Sequence, residues 1–125
     1  MIEIKCSLFT LLYKVLYTIG MQKESQDKNF CPIARVAELL GDSCTLLIVR
    51  DLLTGTKRFK DFEQSLLHVS SRTIAKKLKM LEEKNIITRT AFKERPPKVE
   101  YQLTKEGNHL NILINDMSEY GKKFL

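Results

Sequence analysis

The sequence predicts a mainly α-helical fold with one small β-hairpin, an α+β fold. Several segments after residue 30 repeat apolar side chains at helical spacing. Two runs rich in β-branched residues follow Asn85, and Pro96-Pro97 separates them. The chain has 125 residues, the size of one domain, which is too short for a large catalytic cleft and its scaffold.

Residues 1–30 are an N-terminal extension with two open interpretations. The first is a helix that packs in a dimer, because apolar residues recur at near-helical spacing: Leu8, Leu11, Leu12, Val15, Leu16 and Ile19. The second is that the natural start is Met21, followed by a polar run at 22–29. Glu3, Lys5 and Lys14 interrupt the apolar stretch, so we expect neither a membrane span nor a secretory signal.

The first two helices of the domain should begin near Pro32 and Ser43. Proline suits a first helical turn, and Gly41 should end this helix. The first helix carries apolar residues at helical spacing: Ile33, Val36, Ala37 and Leu40. The second helix has Asp42 or Ser43 as its N-cap and ends before Gly55. It is apolar nearly all round, which predicts a central, buried helix.

A short third helix and a longer fourth helix should form a helix-turn-helix. The third is marked by Phe59, Phe62, Leu66 and Leu67, and His68-Val69 turns the chain into Ser70, which caps the fourth. One face of the fourth helix carries Ile74, Leu78 and Leu81. A second face, roughly 200° away, carries Arg72, Lys76 and Lys79. The apolar face should dock the helix while the cationic face points outward.

The next two runs predict a hairpin that acts as a wing beside the fourth helix. Residues 86–92 are rich in β-branched side chains, and Val99, Tyr101 and Leu103 alternate along residues 98–103. Pro96-Pro97 stiffens the loop between them. Thr104 should then cap one last helix, whose apolar residues we expect to close a homodimer: Leu110, Leu113, Ile114, Met117, Tyr120 and Phe124.

Positive charge is concentrated around these predicted elements. Residues 56–105 contain thirteen Lys and Arg and six Asp and Glu, a net charge of +7, whereas the whole chain carries +6. A charged stripe is often only a solvated face. Positive charge concentrated in one region favours a polyanionic partner. Cations that neutralise phosphates release condensed counterions, and this release favours binding.

The residues closely resemble HxlR-type winged helix-turn-helix transcriptional regulators from residue 31 to the C-terminus. The matching segments are Cys31-Pro32-Ile33, Leu40-Gly41, 47–53, 57–62, 70–81, 95–104, Gly107 and Tyr120-Gly121-Lys122. The most specific is Pro-Pro-Lys-Val-Glu-Tyr-Gln-Leu-Thr at 96–104. Ser43-Cys44 departs from the Lys-Trp pair usual in the family, so the nearby core is expected to pack differently, with Cys44 as a small buried hydrophobe.

The resemblance implies a prokaryotic homodimer that binds an imperfect inverted repeat of double-stranded DNA. The winged helix-turn-helix domain would span residues 31–107, and residues 108–125 would form the dimerisation helix. The helix at 70–84 would enter the major groove, and the wing at 93–98 would contact the minor groove or phosphates. The predicted DNA-binding residues are Ser70, Ser71, Arg72, Thr73, Lys76, Lys77, Lys79, Lys93, Arg95 and Lys98.

The side chains of these residues differ in chemistry, which predicts different roles in DNA binding. Hydroxyls and backbone N–H groups at the helix start suit phosphates, and Arg72 could bind guanine through two hydrogen bonds. Lysines suit phosphates, because a compact ammonium discriminates poorly between bases. Arg95 is the candidate for the minor groove.

Cys31 permits two interpretations. Some members of this family sense oxidants or electrophiles at this Cys-Pro position, and a helix N-terminus would favour the thiolate. Alternatively, Cys31 only packs near the dimer interface. The three cysteines, Cys6, Cys31 and Cys44, are odd in number and form no C-x-x-C pair. This pattern predicts no disulfide framework and no structural zinc, and it indicates a reducing, cytoplasmic location.

Other functional classes have less support. We expect no catalytic residues, metal or cofactor, because His68 and His109 are the only histidines and no Gly-rich phosphate loop occurs. RNA binding lacks an aromatic platform for stacking bases. The main alternative is a winged-helix protein-interaction adaptor without sequence-specific DNA binding, since the fold alone does not decide function. The operator, the regulated genes, the sign of regulation and any small-molecule effector cannot be read from the sequence.

Overall fold

A computed structural model describes residues 31–125, and the predictions for residues 1–30 lie outside the described part. The chain divides into two compact units at Asp42 and Ser43. In the first unit, helix α1 (Pro32–Leu40) begins with proline in its first turn and has Gly41 at its C-cap. Both boundaries agree with the sequence prediction.

The second unit, Ser43–Leu125, contains the remaining described elements. These are α2 (Ser43–Leu52), α3 (Phe59–Ser65), α4 (Ser71–Glu83), β1 (Ile87–Phe92), β2 (Lys98–Leu103), α5 (Lys105–Asn108) and α6 (Asn111–Phe124). Helices α3 and α4 form the helix-turn-helix, and β1 and β2 pair as an antiparallel hairpin. The mainly α-helical winged helix-turn-helix fold predicted from sequence is confirmed.

The core of this unit forms around α2, as its apolar sequence predicts. Ile48 and Val49 have no exposed surface, and Cys44 is only 6% exposed, so this cysteine occupies the position of a small hydrophobe. The other helices and the hairpin complete the core with Leu52, Phe62, Leu66, Ile74, Leu78, Leu81, Ile87 and Leu103. The buried face of α4 is therefore the predicted one.

A short bridge adds a third strand segment beside the hairpin. Lys57 and Tyr101 exchange two backbone hydrogen bonds, with N···O distances of 2.9 and 2.7 Å. Tyr101 pairs with Arg89 on its other side. The segment before α3 is thereby joined to β2, which fixes the wing against the helix-turn-helix. This bridge was not predicted from the sequence, because a single bridging residue has no periodicity.

The predicted last helix is wrong in one respect, because two helices replace it. Thr104 caps α5, and its Oγ1 accepts a hydrogen bond from the N–H of Gly107. The N–H groups of His109 and Leu110 then bond to carbonyls only three residues earlier, so the turn tightens before α6 begins. The predicted division at residues 107 and 108 stays a prediction.

No helix within residues 31–125 is long and apolar enough to cross a membrane.

Candidate DNA-binding surface

Helix α4 separates its apolar and cationic side chains onto two faces. Ile74 and Leu81 are fully buried, and Leu78 is 2% exposed. The cationic side chains face solvent: Arg72, Lys76 and Lys79. This arrangement fixes the helix through one face while its positive charge remains available on the other.

Hydrogen bonds hold the start of α4. Ser70 is the N-cap, and its Oγ accepts a hydrogen bond from the N–H of Thr73, with 3.2 Å between N and Oγ. Its Oγ also lies 2.9 Å from Thr73 Oγ1. Ser71 Oγ donates to Glu63 Oε2 of α3 at 2.6 Å. Three of the predicted DNA-binding residues therefore use their hydroxyls within the protein, where they orient the helix.

The remaining predicted cations differ in their surroundings. Lys93 and Arg95 are exposed at the tip of the hairpin. Lys98 Nζ instead lies 2.8 Å from Glu100 Oε1 and 5.2 Å from the centre of the Phe92 ring. Lys77 is half-buried on α4. Lys93 and Arg95 are thus more available to a ligand than Lys98 or Lys77.

A groove that was not predicted from the sequence lies between α4 and the hairpin. It is lined by Ala75, Leu78, Lys79, Glu82, Arg89 and Tyr101. Arg89 and Tyr101 are opposite each other in the hairpin register. Alternation along β1 could have indicated Arg89, because it shares a face with the buried Ile87.

Helix α6 exposes much of its apolar surface. Met117 is 46% exposed, Tyr120 61% and Phe124 62%. Tyr120 and Phe124 pack together with their ring centres 5.0 Å apart. Leu110, Leu113 and Ile114, nearer the start of the helix, are half-buried. Exposed large apolar side chains grouped on one helix are typical of a protein interface.

Cys31 is the N-cap residue of α1 and is 2% exposed. Its thiol lies close to the positive end of the helix dipole. Within residues 31–125, no group of three or more His, Cys, Asp or Glu could hold a metal ion.

Comparisons with known proteins agree with this architecture. Residues 39–125 match the model of the HxlR-like helix-turn-helix family. The HTH-type transcriptional regulator YodB of Bacillus subtilis is 35% identical over 97 residues, covering 77% of this chain and 87% of YodB. YdeP of the same organism, named an uncharacterized HTH-type transcriptional regulator, is 31% identical over 106 residues, covering 85% of this chain and 83% of YdeP.

Solved structures give the same result. The oxidized form of the redox regulator HypR has a TM-score of 0.72 and 28% identity, covering 76% of this chain and 98% of HypR. The reduced form of YodB from Bacillus subtilis has a TM-score of 0.66 and 34% identity, covering 76% of this chain and 94% of YodB. The family match, these relatives and the winged fold lead to one conclusion: the chain belongs to the HxlR-like helix-turn-helix family of transcriptional regulators.

Proposed function

We propose that this regulator binds an inverted-repeat DNA operator as a homodimer, with α4 in the major groove. The observation that carries the proposal is the exposed cationic face of α4 opposite its buried apolar face. A helix held in this way can present base-reading side chains without losing its contacts to the core. Binding to chromosomal DNA requires a cytoplasmic location.

Arg72 is the proposed base-reading residue, because a guanidinium can donate two hydrogen bonds to guanine. Lys76 and Lys79 would bind phosphates, which position the protein without reading sequence. Arg95 would enter the minor groove and Lys93 would contact the backbone. Lys98 would first have to break its ion pair with Glu100, so we expect it to contribute less to the affinity for DNA.

The exposed apolar surface of α6 supports the proposed homodimer. A twofold dimer would bury the same surface from both copies and place two copies of α4 on related half-sites. Half-sites would then be separated by about one helical turn, roughly 34–36 Å.

Fluorescence anisotropy tests the proposal directly. The protein is titrated with the intergenic DNA upstream of its own gene and with a scrambled duplex, at several salt concentrations. We expect preference for its own upstream DNA, with log affinity falling by about 0.9 per phosphate contact against log salt. Equal, weak binding to both duplexes would instead favour the adaptor function.

We further propose that oxidation of Cys31 changes DNA binding. Its N-cap position places the thiol beside the positive end of the helix dipole, and the thiolate is the form that oxidants attack. HypR is described as a redox regulator, and a YodB structure was solved after diamide treatment. Both proteins are similar to this chain, and this similarity supports the proposal.

A further inference from the structure

We propose that the groove between α4 and the hairpin binds one backbone phosphate of DNA, held by Lys79, Arg89 and Tyr101. This inference rests on the proposed DNA binding and adds two residues to the contact surface. Lys79 comes from α4, whereas Arg89 and Tyr101 come from paired positions on β1 and β2. One phosphate would therefore join the recognition helix and the wing.

The charges in the groove favour an anion. Lys79 and Arg89 are both exposed, and neither forms an ion pair of 4 Å or less with a carboxylate of residues 31–125. Two cations that line the same groove raise its positive potential. A bound phosphate would relieve their repulsion and accept hydrogen bonds from both side chains.

Tyr101 can contribute a neutral donor that is held in place before DNA arrives. Its ring packs edge-on against the fully buried Phe62, with 6.0 Å between the ring centres. Its backbone bonds to Lys57 at 2.7 and 2.9 Å. A donor fixed by the core loses little conformational entropy on binding.

The position of the groove favours duplex DNA over a small free anion. Lys79 is the last cation of the exposed stripe that includes Arg72 and Lys76. Arg89 continues the positive charge from α4 onto the wing. A DNA backbone that runs along this stripe would reach the groove between α4 and the hairpin. One of its phosphates could then bind there.

Glu82 acts against this binding. It lines the same groove, one turn after Lys79, and its carboxylate would repel a phosphate. We therefore expect that Glu82 lowers the affinity for every DNA sequence. Its removal should improve binding, a result that a folding defect cannot produce.

The test measures the affinity and salt dependence of groove variants on the operator and the scrambled duplex. R89Q should weaken binding to both roughly tenfold, as expected for a lost charged hydrogen bond. Y101F should weaken both about threefold, and E82Q should tighten both by about two- to fivefold. Lys105→Gln is the matched control, an exposed cation at the start of α5, and should change affinity less than R89Q.

The double variant K79Q/R89Q tests whether the two cations share one phosphate. A shared phosphate predicts that the salt slope changes little in each single variant and falls by about 0.9 in the double variant. A fall of about 1.8 would mean two separate phosphates and would overturn the inference. Unchanged affinity in R89Q and E82Q would also overturn it, provided that circular dichroism shows folded variants.

Wild-type binding separates this inference from the proposed function. If wild-type protein prefers its operator but the groove variants behave like Lys105→Gln, only the groove assignment fails. If wild-type protein binds no duplex, the proposed function fails and the groove assignment fails with it.

Discussion

Ser71 at the start of α4 donates a hydrogen bond to Glu63 of α3, with 2.6 Å between Oγ and Oε2. This bond joins the two helices of the helix-turn-helix next to the Ser70 cap. It therefore helps to set the angle at which α4 leaves the turn. Residues that the sequence assigned to DNA contact here support the geometry of the contact surface.

Ser71→Ala should lower the free energy of unfolding by about 1 kcal/mol, because Glu63 loses a charged hydrogen bond on the protein surface. Urea unfolding measures the change. Glu63→Gln keeps an acceptor oxygen and should cost less. Ser118→Ala on exposed α6 controls for the higher helix propensity of alanine. Unchanged stability with weaker DNA binding would show that the Ser71 hydroxyl serves DNA instead.

Gly107→Ala should destabilise the protein by about 2 kcal/mol, because the new methyl group requires a shift of backbone. A Cβ at Gly107 would lie 2.2 Å from the Ile86 carbonyl oxygen and 3.0 Å from Leu103 Cδ2. Thermal or urea unfolding tests this expectation. Gly121→Ala is the matched control, because its Cβ would meet nothing within 4 Å. It should instead stabilise α6 by about 0.5–1 kcal/mol. Equal effects of both substitutions would contradict the close approach at Gly107.

The helices and the hairpin could be predicted from sequence because their signals are local. Proline at the start of α1 and the Ser70 cap each act within one turn. The position of α5 is different, because it depends on a hydrogen bond that the Thr104 hydroxyl donates to the Asn85 carbonyl at 2.7 Å. A contact between residues nineteen positions apart leaves no periodic signal.

The candidate site also combines features with local sequence signals and features that depend on contacts between distant residues. The exposed face of α4 follows from helical spacing, and it was predicted correctly. The pairing of Lys98 with Glu100, and the meeting of Arg89 with Lys79 at one groove, depend on strand register and on packing between elements. The charge pattern of the sequence alone therefore did not indicate that Lys98 is paired or that Arg89 and Lys79 line one groove.

Arg72→Ala and Lys76→Ala should produce different losses of DNA binding. Arg72→Ala should cost about 1–3 kcal/mol on the operator and relax sequence preference, because a base contact is lost. Lys76→Ala should weaken all sequences alike and reduce the salt slope by about one unit, because a phosphate contact is lost. Anisotropy titrations on operator and scrambled DNA across salt distinguish these results, with Lys105→Ala as the control. Indistinguishable behaviour of the two variants would contradict their assigned roles.

Phe124→Glu should dissociate the proposed dimer, because it places a charge in an apolar interface. Phe124 is 62% exposed in one chain and contacts Tyr120. The few residues that dominate an interface each contribute about 2 kcal/mol or more, and they lie in its well-packed centre. Sedimentation velocity should show a monomer at concentrations where the wild type is a dimer. Asn115→Glu adds the same charge to the opposite side of α6 by helical spacing and should remain dimeric. A dimeric Phe124→Glu would place the interface elsewhere.

Cys31→Ser should abolish the proposed change in DNA binding that a thiol oxidant causes. Cys31 lies at the N-terminus of α1 but is only 2% exposed, so oxidation should be slow and should depend on local opening. Anisotropy titrations before oxidation, after oxidation and after reduction measure the response. Cys44→Ser is the matched control, because Cys44 is also buried, at 6% exposure, and also lies in the first turn of a helix, α2. It should respond to the oxidant as the wild type does. A Cys31→Ser variant that still responds would assign the effect to another residue, and a wild type that does not respond would leave Cys31 as a packing residue.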